Sequence, residues 1–221
     1  QDGHSHLFSS TIPNCVSYDP TFAYELAVII QNGMHRMYSK DEDLFYYITV
    51  MNENYQHPEM PKNAEEGIIK GMYLLKKSDK SKVQIQLLGS GTILREVIAA
   101  AELLEEDFGI SSNIWSVTSF NELRREGLSI KRQNLLHPDK KQKLSYVESL
   151  FKDENTPVVA ATDYMKIYAD QIREFIPNRY IVLGTDGFGR SDTRNQLRKF
   201  FEVNRHYIVV AALKGLADEG K

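Results

Sequence analysis

The sequence predicts an α/β fold, a parallel or mixed sheet with helices on both faces, preceded by the incomplete end of another α/β unit. Two observations point to the main sheet. From residue 83 to 213, short β-branched runs bounded by glycine alternate with helical patterns, as strand–helix–strand units around a parallel sheet require. The stretch 180–201 condenses that pattern: the apolar run Tyr180-Ile181-Val182-Leu183, a glycine loop over 184–192, then a helical pattern ending in Phe200 and Phe201. A third observation sets the first part of the chain apart. Residues 52–61 are polar and aperiodic, and Pro58 and Pro61 hold the residues before them extended. A boundary near Lys62 divides the chain into 1–61 and 62–221.

In chain order, residues 1–16 read as a loop of glycine, serines and histidines. Asp19 and Pro20 then start a helix, Asp19 as its cap and Pro20 at the first position, and apolar spacing continues it to about Tyr38. After a polar turn over 39–43, residues 44–50 form a strand with no evident neighbour, so 1–61 is expected to be the less stable half. Residues 83–88 read as a strand, Gly89-Ser90-Gly91 as a turn, and 92–108 as a helix closed by Gly109. Residues 113–117 form a strand, and Ser119 with Glu122 sets a capping box for a helix through Arg125. Further helical patterns cover 128–137, 144–152 and 165–175, the last stopped by Pro177, with a strand at 158–162. Ser191 or Asp192 caps the helix after the glycine loop, and residues 207–213 are compatible with a strand or a closing helix.

A chain of 221 residues can bury one large core or two modest ones. Its net charge of −3, with basic and acidic residues interleaved, argues against nucleic acid as a partner. The single cysteine, Cys15, excludes an internal disulfide and suits the cytoplasm; it reads as a small buried hydrophobe. No apolar run reaches the roughly 20 residues of a membrane helix, so no membrane is expected. The start at Gln1 reads as a cut inside a longer chain.

Several segments invite a chemical reading, each with a plainer alternative. Asp2, His4 and His6 place a carboxylate and two imidazoles within five residues, apt for proton transfer; the alternative is an exposed polar loop. Asn52, Glu53 and Asn54 directly follow an apolar strand, at the sheet edge where clefts form, so they could line one or simply be solvated. Gly89-Ser90-Gly91 offers a phosphate cradle, but Leu94 stands where the dinucleotide fingerprint needs its third glycine, and a tight turn explains it better. The 184–192 loop lacks the lysine and hydroxyl of a P-loop. Its Thr185-Asp186-Gly187 is similar to the start of a diphosphate-and-magnesium motif, yet Thr185 and Asn204 do not match that motif, so no metal is assigned here. Trp115 and the Phe45-Tyr46-Tyr47 run read as core.

Together, Asp2-Gly3-His4-Ser5-His6, Thr11-Ile12-Pro13-Asn14-Cys15, Tyr46-Tyr47-Ile48-Thr49 with Asn52-Glu53-Asn54-Tyr55, Leu87-Leu88-Gly89-Ser90-Gly91, Ser116-Val117-Thr118-Ser119-Phe120, Ala161-Thr162-Asp163-Tyr164-Met165 and Leu183-Gly184-Thr185-Asp186-Gly187-Phe188-Gly189-Arg190-Ser191-Asp192 closely resemble one family. It is the homodimeric bacterial type of the first component of the pyruvate dehydrogenase complex. The resemblance runs the whole chain in order and corresponds to the last part of a longer polypeptide. It implies that 1–61 is the end of the central, pyrimidine-binding domain and that 62–221 is a transketolase-type carboxy-terminal domain. It also implies an enzyme that needs thiamine diphosphate and magnesium, decarboxylates pyruvate and passes an acetyl group to the lipoyl group of the dihydrolipoamide acetyltransferase component. The cofactor-holding groups would lie upstream of Gln1, so this stretch alone should bind neither cofactor nor metal and should not catalyse. Related transketolases carry an Asp-Gly-x-Thr-His loop at the substrate channel. This chain matches it at Asp2, Gly3 and His6, with serine for threonine, so Asp2 and His6, with His4 beside them, are expected to line the channel. The rival expectation is a non-catalytic dimerisation and docking module.

Overall fold

The computed structural model describes residues 2–78 and 84–221. Val83, where a strand was expected to begin, lies outside them. Two sheets form: a two-stranded one, β1–β2, and a five-stranded one in the order β3-β5-β4-β6-β7. In the larger sheet β3 (Met72–Lys76) runs antiparallel to β5 (Ser112–Val117), while β5, β4 (Ile85–Gly89), β6 (Val158–Ala161) and β7 (Tyr180–Leu183) are parallel.

The expected helices on both faces follow from how the parallel strands are buried. In β4, Leu87 joins a cluster with Val97, Leu104, Ile208 and Ala212 of α4 (Leu94–Phe108) and α9 (Arg205–Asp218). Its neighbour Leu88 faces the other side, among Phe120 and Leu123 of α5 (Phe120–Leu136), Val147 and Phe151 of α6 (Tyr146–Phe151) and Tyr168 of α7 (Lys166–Asp170). Successive side chains point to opposite faces, so an uninterrupted apolar strand needs cover on both.

Local signals set several ends. Gly109, at φ 65°, closes α4. The hydroxyl of Ser119 accepts from the Glu122 N–H to start α5, and Ser145 makes a full capping box with Glu148 for α6. Asn204 accepts from the N–H groups of His206 and Tyr207, and the open reading of 207–213 resolves as helix α9.

Several expectations are corrected. Residues 1–16 are not a loop: α1 (Ser5–Ser10) and β1 (Cys15–Tyr18) lie there, because His6, Ser9 and the whole of β1 are buried against the larger unit. The strand β2 (Phe45–Ile48) does have a neighbour, since β1 pairs with it in parallel, Val16 opposite Tyr46. Asp19 is not a helix cap. The helix α2 begins at Ala23 and runs to Met34, and the carboxylate of Glu25 turns back to accept from the N–H groups of Thr21 and Phe22. A single π turn, His35–Ser39, continues it. The helix α8 (Arg194–Phe200) is capped by Thr193, whose hydroxyl accepts from the Gln196 N–H, and not by Ser191 or Asp192. The patterns over 120–125 and 128–137 fuse into the one helix α5. The pattern over 165–175 breaks into α7 and a short 3₁₀ turn, Arg173–Phe175. The helix α3 (Glu65–Lys70) and strand β3 were not anticipated; Gly71, at φ 108°, joins them. Cys15 and Trp115 are buried as expected, but Phe45 is 45% exposed.

The two sheets meet end to end. The Asp19 N–H donates to the Thr118 carbonyl over 2.7 Å, and the Gly91 N–H donates to the Asp19 carbonyl over 3.2 Å. Ser119 donates its hydroxyl to the Ser17 carbonyl (2.6 Å), and Asn121 donates to the His6 carbonyl (2.8 Å) and to Ser17 Oγ (2.6 Å). Among the described residues no helix is long and apolar enough to cross a membrane.

Candidate functional site

A cleft of about 480 Å³ opens where the carboxyl ends of β1 and β2 face those of β4, β6 and β7. That volume suits a small molecule, and the location is the usual one for ligands of open α/β sheets. Asp19, Thr49 and Tyr164 lie along its floor; Asn52 and Glu53 form one wall, and Arg190, Arg194 and Arg198 the other.

The walls are tied together by charge. Glu53 Oε1 lies 2.7 Å from Arg95, and Glu53 Oε2 lies 3.1 Å from Arg198 and 3.6 Å from Arg194. Arg198 also reaches Glu96 at 3.3 Å and donates to Thr92 Oγ1 at 2.8 Å, and Arg205 holds the other oxygen of Glu96 at 3.1 Å. Burial alone would raise the Glu53 carboxyl. Arg95 and Arg198 outweigh it and hold the group below the ordinary carboxylate range. Glu96 is lowered in the same way, burial being outweighed by Arg205 and Arg198. Arg194 donates to Asn52 Oδ1 at 2.6 Å. Arg190 stacks its guanidinium 4.5 Å above the Phe200 ring.

The residues singled out in the sequence part company. Asp2 lines the cleft; its carboxylate accepts from the N–H groups of His4 and Ser5 (3.1 and 3.0 Å) and from the Ser5 hydroxyl, so it also satisfies free N–H groups at the start of α1. Burial raises its pKa, but these hydrogen bonds outweigh that and leave it lowered. His6 is 0% exposed and lies one layer behind the floor, with Nε2 at 3.0 Å from Thr49 Oγ1. Its ring sits among Tyr164, Tyr168 and Tyr47, with centroids at 4.6, 4.9 and 5.3 Å. Burial pushes its pKa down to about 4, against the opposing pull of Asp2, so it is neutral at physiological pH. His4 is exposed beside the Phe8 ring, outside the cleft. Asn52 and Glu53 line the cleft, whereas Asn54 is exposed and does not.

The glycine loops also separate. In Gly89-Ser90-Gly91 the N–H groups of Ser90 and Gly91 bond to the carbonyls of Ala161 and Asp19, so the loop is a turn closed on its own chain. Gly91 has φ 49°, and a side chain there would begin 2.4 Å from Asp19 Oδ2, so glycine is required. The 184–192 loop instead reaches the cleft with Thr185, Gly187, Gly189 and Arg190.

Asp19 is the cleft residue that sequence reasoning misplaced. Thr49 donates to its Oδ1 over 2.8 Å, while Oδ2 is buried with no hydrogen-bond partner. Burial, reinforced by the Asp163 carboxyl, pushes its pKa up to about 7 against the hydroxyls of Thr49 and Ser90. The available signal was its position at the end of an apolar run, which reads equally well as a helix cap.

Among the described residues, no group of three or more histidine, cysteine, aspartate or glutamate side chains could hold a metal ion. Residues 71–204 match the transketolase-like TK C-terminal domain family. The chain belongs to that family. Residues 1–58 match the pyruvate dehydrogenase E1 component middle domain. Over its whole length the chain is 64% identical to the pyruvate dehydrogenase E1 component of Pseudomonas aeruginosa and 54% identical to that of Escherichia coli, and in each case it covers 25% of the relative. It thus spans about a quarter of the length of these curated relatives. A transketolase from Pichia stipitis superimposes with a TM-score of 0.69 at 17% identity, covering 100% of this chain and 28% of that one. A split-gene transketolase, described as an inactive beta4 tetramer, gives 0.61 at 16% identity over 98% of this chain and 63% of that one. These two likenesses establish the transketolase C-terminal fold, here with the middle-domain segment docked on it.

Proposed function

We propose that this chain builds one side of the active-site cleft of a pyruvate dehydrogenase (acetyl-transferring), which decarboxylates pyruvate and passes an acetyl group to the lipoyl group of a dihydrolipoamide acetyltransferase component. The observation that carries the reading is the cleft itself. It opens between the segment matching the pyruvate dehydrogenase middle domain and the transketolase-like domain, each giving a wall, with Arg190 placed to draw in a small anion. The division at residues 61 and 62 belongs to the same reading, with 1–61 as the end of the pyrimidine-binding domain. So do the homodimer and the cytoplasmic location.

The coenzyme of such an enzyme, thiamine diphosphate, supplies the electron sink for decarboxylation. The described residues do not suit its magnesium-diphosphate end, for the carboxyls on the cleft floor, Asp19 and Asp163, come without a third ligand. In this reading those contacts come from sequence outside the chain. The residues here orient substrate and fix the rim: Asp2 and Asn52 present polar groups, and Glu53 locks three arginines in place.

The full-length protein, supplied with thiamine diphosphate and magnesium, is expected to release carbon dioxide from pyruvate and acetylate a lipoyl domain, whereas residues 1–221 alone do neither. A full-length protein inert towards pyruvate but active on a ketose phosphate refutes the reading. Turnover by residues 1–221 alone refutes the placing of the cofactor groups elsewhere.

A further inference from the structure

The cleft is larger and more apolar than a small keto acid requires. Its volume of about 480 Å³ lies in the range of roughly 300–1,000 Å³ that suits drug-sized ligands, well beyond what pyruvate alone fills. Along α8 and at its end, Arg194, Leu197, Arg198 and Phe201 recur at helical spacing and share the face that lines the cleft. Both arginines on that face are engaged, Arg198 by Glu53 and Glu96 and Arg194 by Glu53 and Asn52. Leu197 and Phe201 are left as its apolar part. On the opposite wall Val50 and Met51 precede Asn52, and Val50 is 71% exposed.

The orientation of Asn52 follows from its partner. A guanidinium has only donors, so the atom that Arg194 meets at 2.6 Å is the amide oxygen. The amide nitrogen lies on the other side of the group, and among the described residues neither of its N–H bonds has an acceptor. Asn52 is exposed and lines the cleft, so these donors are open to a ligand. Glu53, 3.6 Å from Arg194, offsets the charge behind the amide. Asn52 therefore offers a neutral donor, which matches an uncharged carbonyl. A carboxylate is better met by a guanidinium, as at Arg190.

We propose that Asn52 is the residue of this cleft that recognises the acyl acceptor. Its amide N–H donates to the carbonyl oxygen of the lipoyl amide, while the aliphatic chain of that group lies between Leu197 and Phe201 on one side and Val50 and Met51 on the other. Arg194 is a positioning residue, because it fixes which way the Asn52 amide faces. The proposal rests on the reading of the chain as part of a pyruvate dehydrogenase and adds the contact that selects its second substrate. A lipoyl amide carries both features for which the cleft is lined, an apolar chain and a neutral carbonyl. Pyruvate has no such chain.

The test compares two acceptors in the full-length enzyme supplied with thiamine diphosphate, magnesium and pyruvate. One is lipoamide; the other is the pentyl dithiolane that keeps its ring and chain but lacks the amide. In the natural enzyme kcat/KM for lipoamide is expected to exceed that for the pentyl compound roughly tenfold, the effect of one hydrogen bond. Asn52→Ala removes the donors, and Asn52→Asp keeps an oxygen for Arg194 but has no N–H to give. Both are expected to bring the ratio down to about one, and Arg194→Ala, which leaves the amide free to turn, to lower it roughly threefold. A general loss of structure would lower both rates and leave the ratio alone. An unchanged ratio in Asn52→Asp overturns the proposal, as does a variant in which only the KM for pyruvate rises, and both leave the pyruvate reading intact. If the full-length protein does not act on pyruvate, that reading falls first, and calorimetric titration of the same protein with the two dithiolanes decides about Asn52. Tighter binding of lipoamide that is lost in Asn52→Asp supports the contact; equal binding of the two, or none, overturns it.

Discussion

The small β1–β2 unit and the five-stranded sheet are held by different physics. The central parallel strands β4 and β6 of the larger sheet are buried throughout between helices, and the edge strand β7 is part-buried. The smaller unit packs Phe22 into the larger unit's core and Val16, Tyr18 and Ile29 against Ile68 and Tyr73, and to these apolar contacts it adds a set of directional polar ones. Glu25 on α2 accepts from the hydroxyls of Tyr73 on β3 and Ser116 on β5, each at 2.6 Å, and Asn121 at the start of α5 fastens His6 and Ser17. A close-packed apolar core fixes its neighbours by shape, whereas a seam of hydrogen bonds fixes them by direction, since every donor left over is buried. The cleft lies on that seam, so the geometry of its floor is fixed by directional bonds.

The strongest way to break this contrast is Glu25→Ala. It would leave the N–H groups of Thr21 and Phe22 and the hydroxyls of Tyr73 and Ser116 without their acceptor, at an expected cost of about 3 kcal/mol or more. Limited proteolysis of the full-length protein should then cut first within residues 2–58 while 84–213 stays protected. Equal loss in both regions would show that they are one cooperative unit.

A second effect, of opposite signs on the two sides of Thr49, comes from pH. The folded-state pKa of His6 is depressed to about 4 from 6.5, so its contribution is complete above about pH 6.5 and lost as pH falls towards 4, on the order of 3 kcal/mol in all. Asp19 is raised from 3.8 to about 7, so the native state holds its proton more tightly than the unfolded chain; its contribution is complete below about pH 4 and lost as pH rises towards 7. The two slopes oppose each other between roughly pH 4 and 6.5. Denaturant titrations should therefore show Asp19→Asn losing stability on acidification more steeply than the natural protein, and His6→Gln gaining it. Parallel slopes in both variants would show that the pair does not titrate across the seam.

The smallest effect lies far from the seam. Lys131 and Glu174 meet at 2.6 Å on the surface of the larger unit, with both side chains well exposed. Lys131→Ala should change stability by less than about 0.5 kcal/mol in the same titrations, and less still at high salt. A larger loss would mean that charge pairs matter outside the seam as well.

Legibility followed the same division. Ile85–Gly89, Ser112–Val117, Val158–Ala161 and Tyr180–Leu183 could be read as strands because cover by helices favours short, mostly apolar runs. The helix Leu94–Phe108 could be read from its period and the glycine after it. The strand Cys15–Tyr18 could not, since Cys15, Ser17 and Tyr18 have no period of their own and are buried by α5 and β2. In the candidate site, Asp2, Asn52 and Glu53 were legible because they follow loop and strand-end signals. His6 and Asn54 went elsewhere because the docking of α1 buries the first and the chain direction exposes the second.

By itself the sequence determined the parallel strands, the helix signals at Ser119, Ser145 and Gly109, and, through its resemblance, the family. Only the tertiary structure decided that Asp19 is a floor carboxyl with one free oxygen and that His6 stands neutral behind it. The reason is that their partners are distant in the chain: Thr49 is 30 residues from Asp19 and 43 from His6, and Gly91 closes over Asp19 from the other sheet. Desolvation and a carboxyl's hydrogen bonds are properties of what surrounds a residue, and no local pattern encodes them.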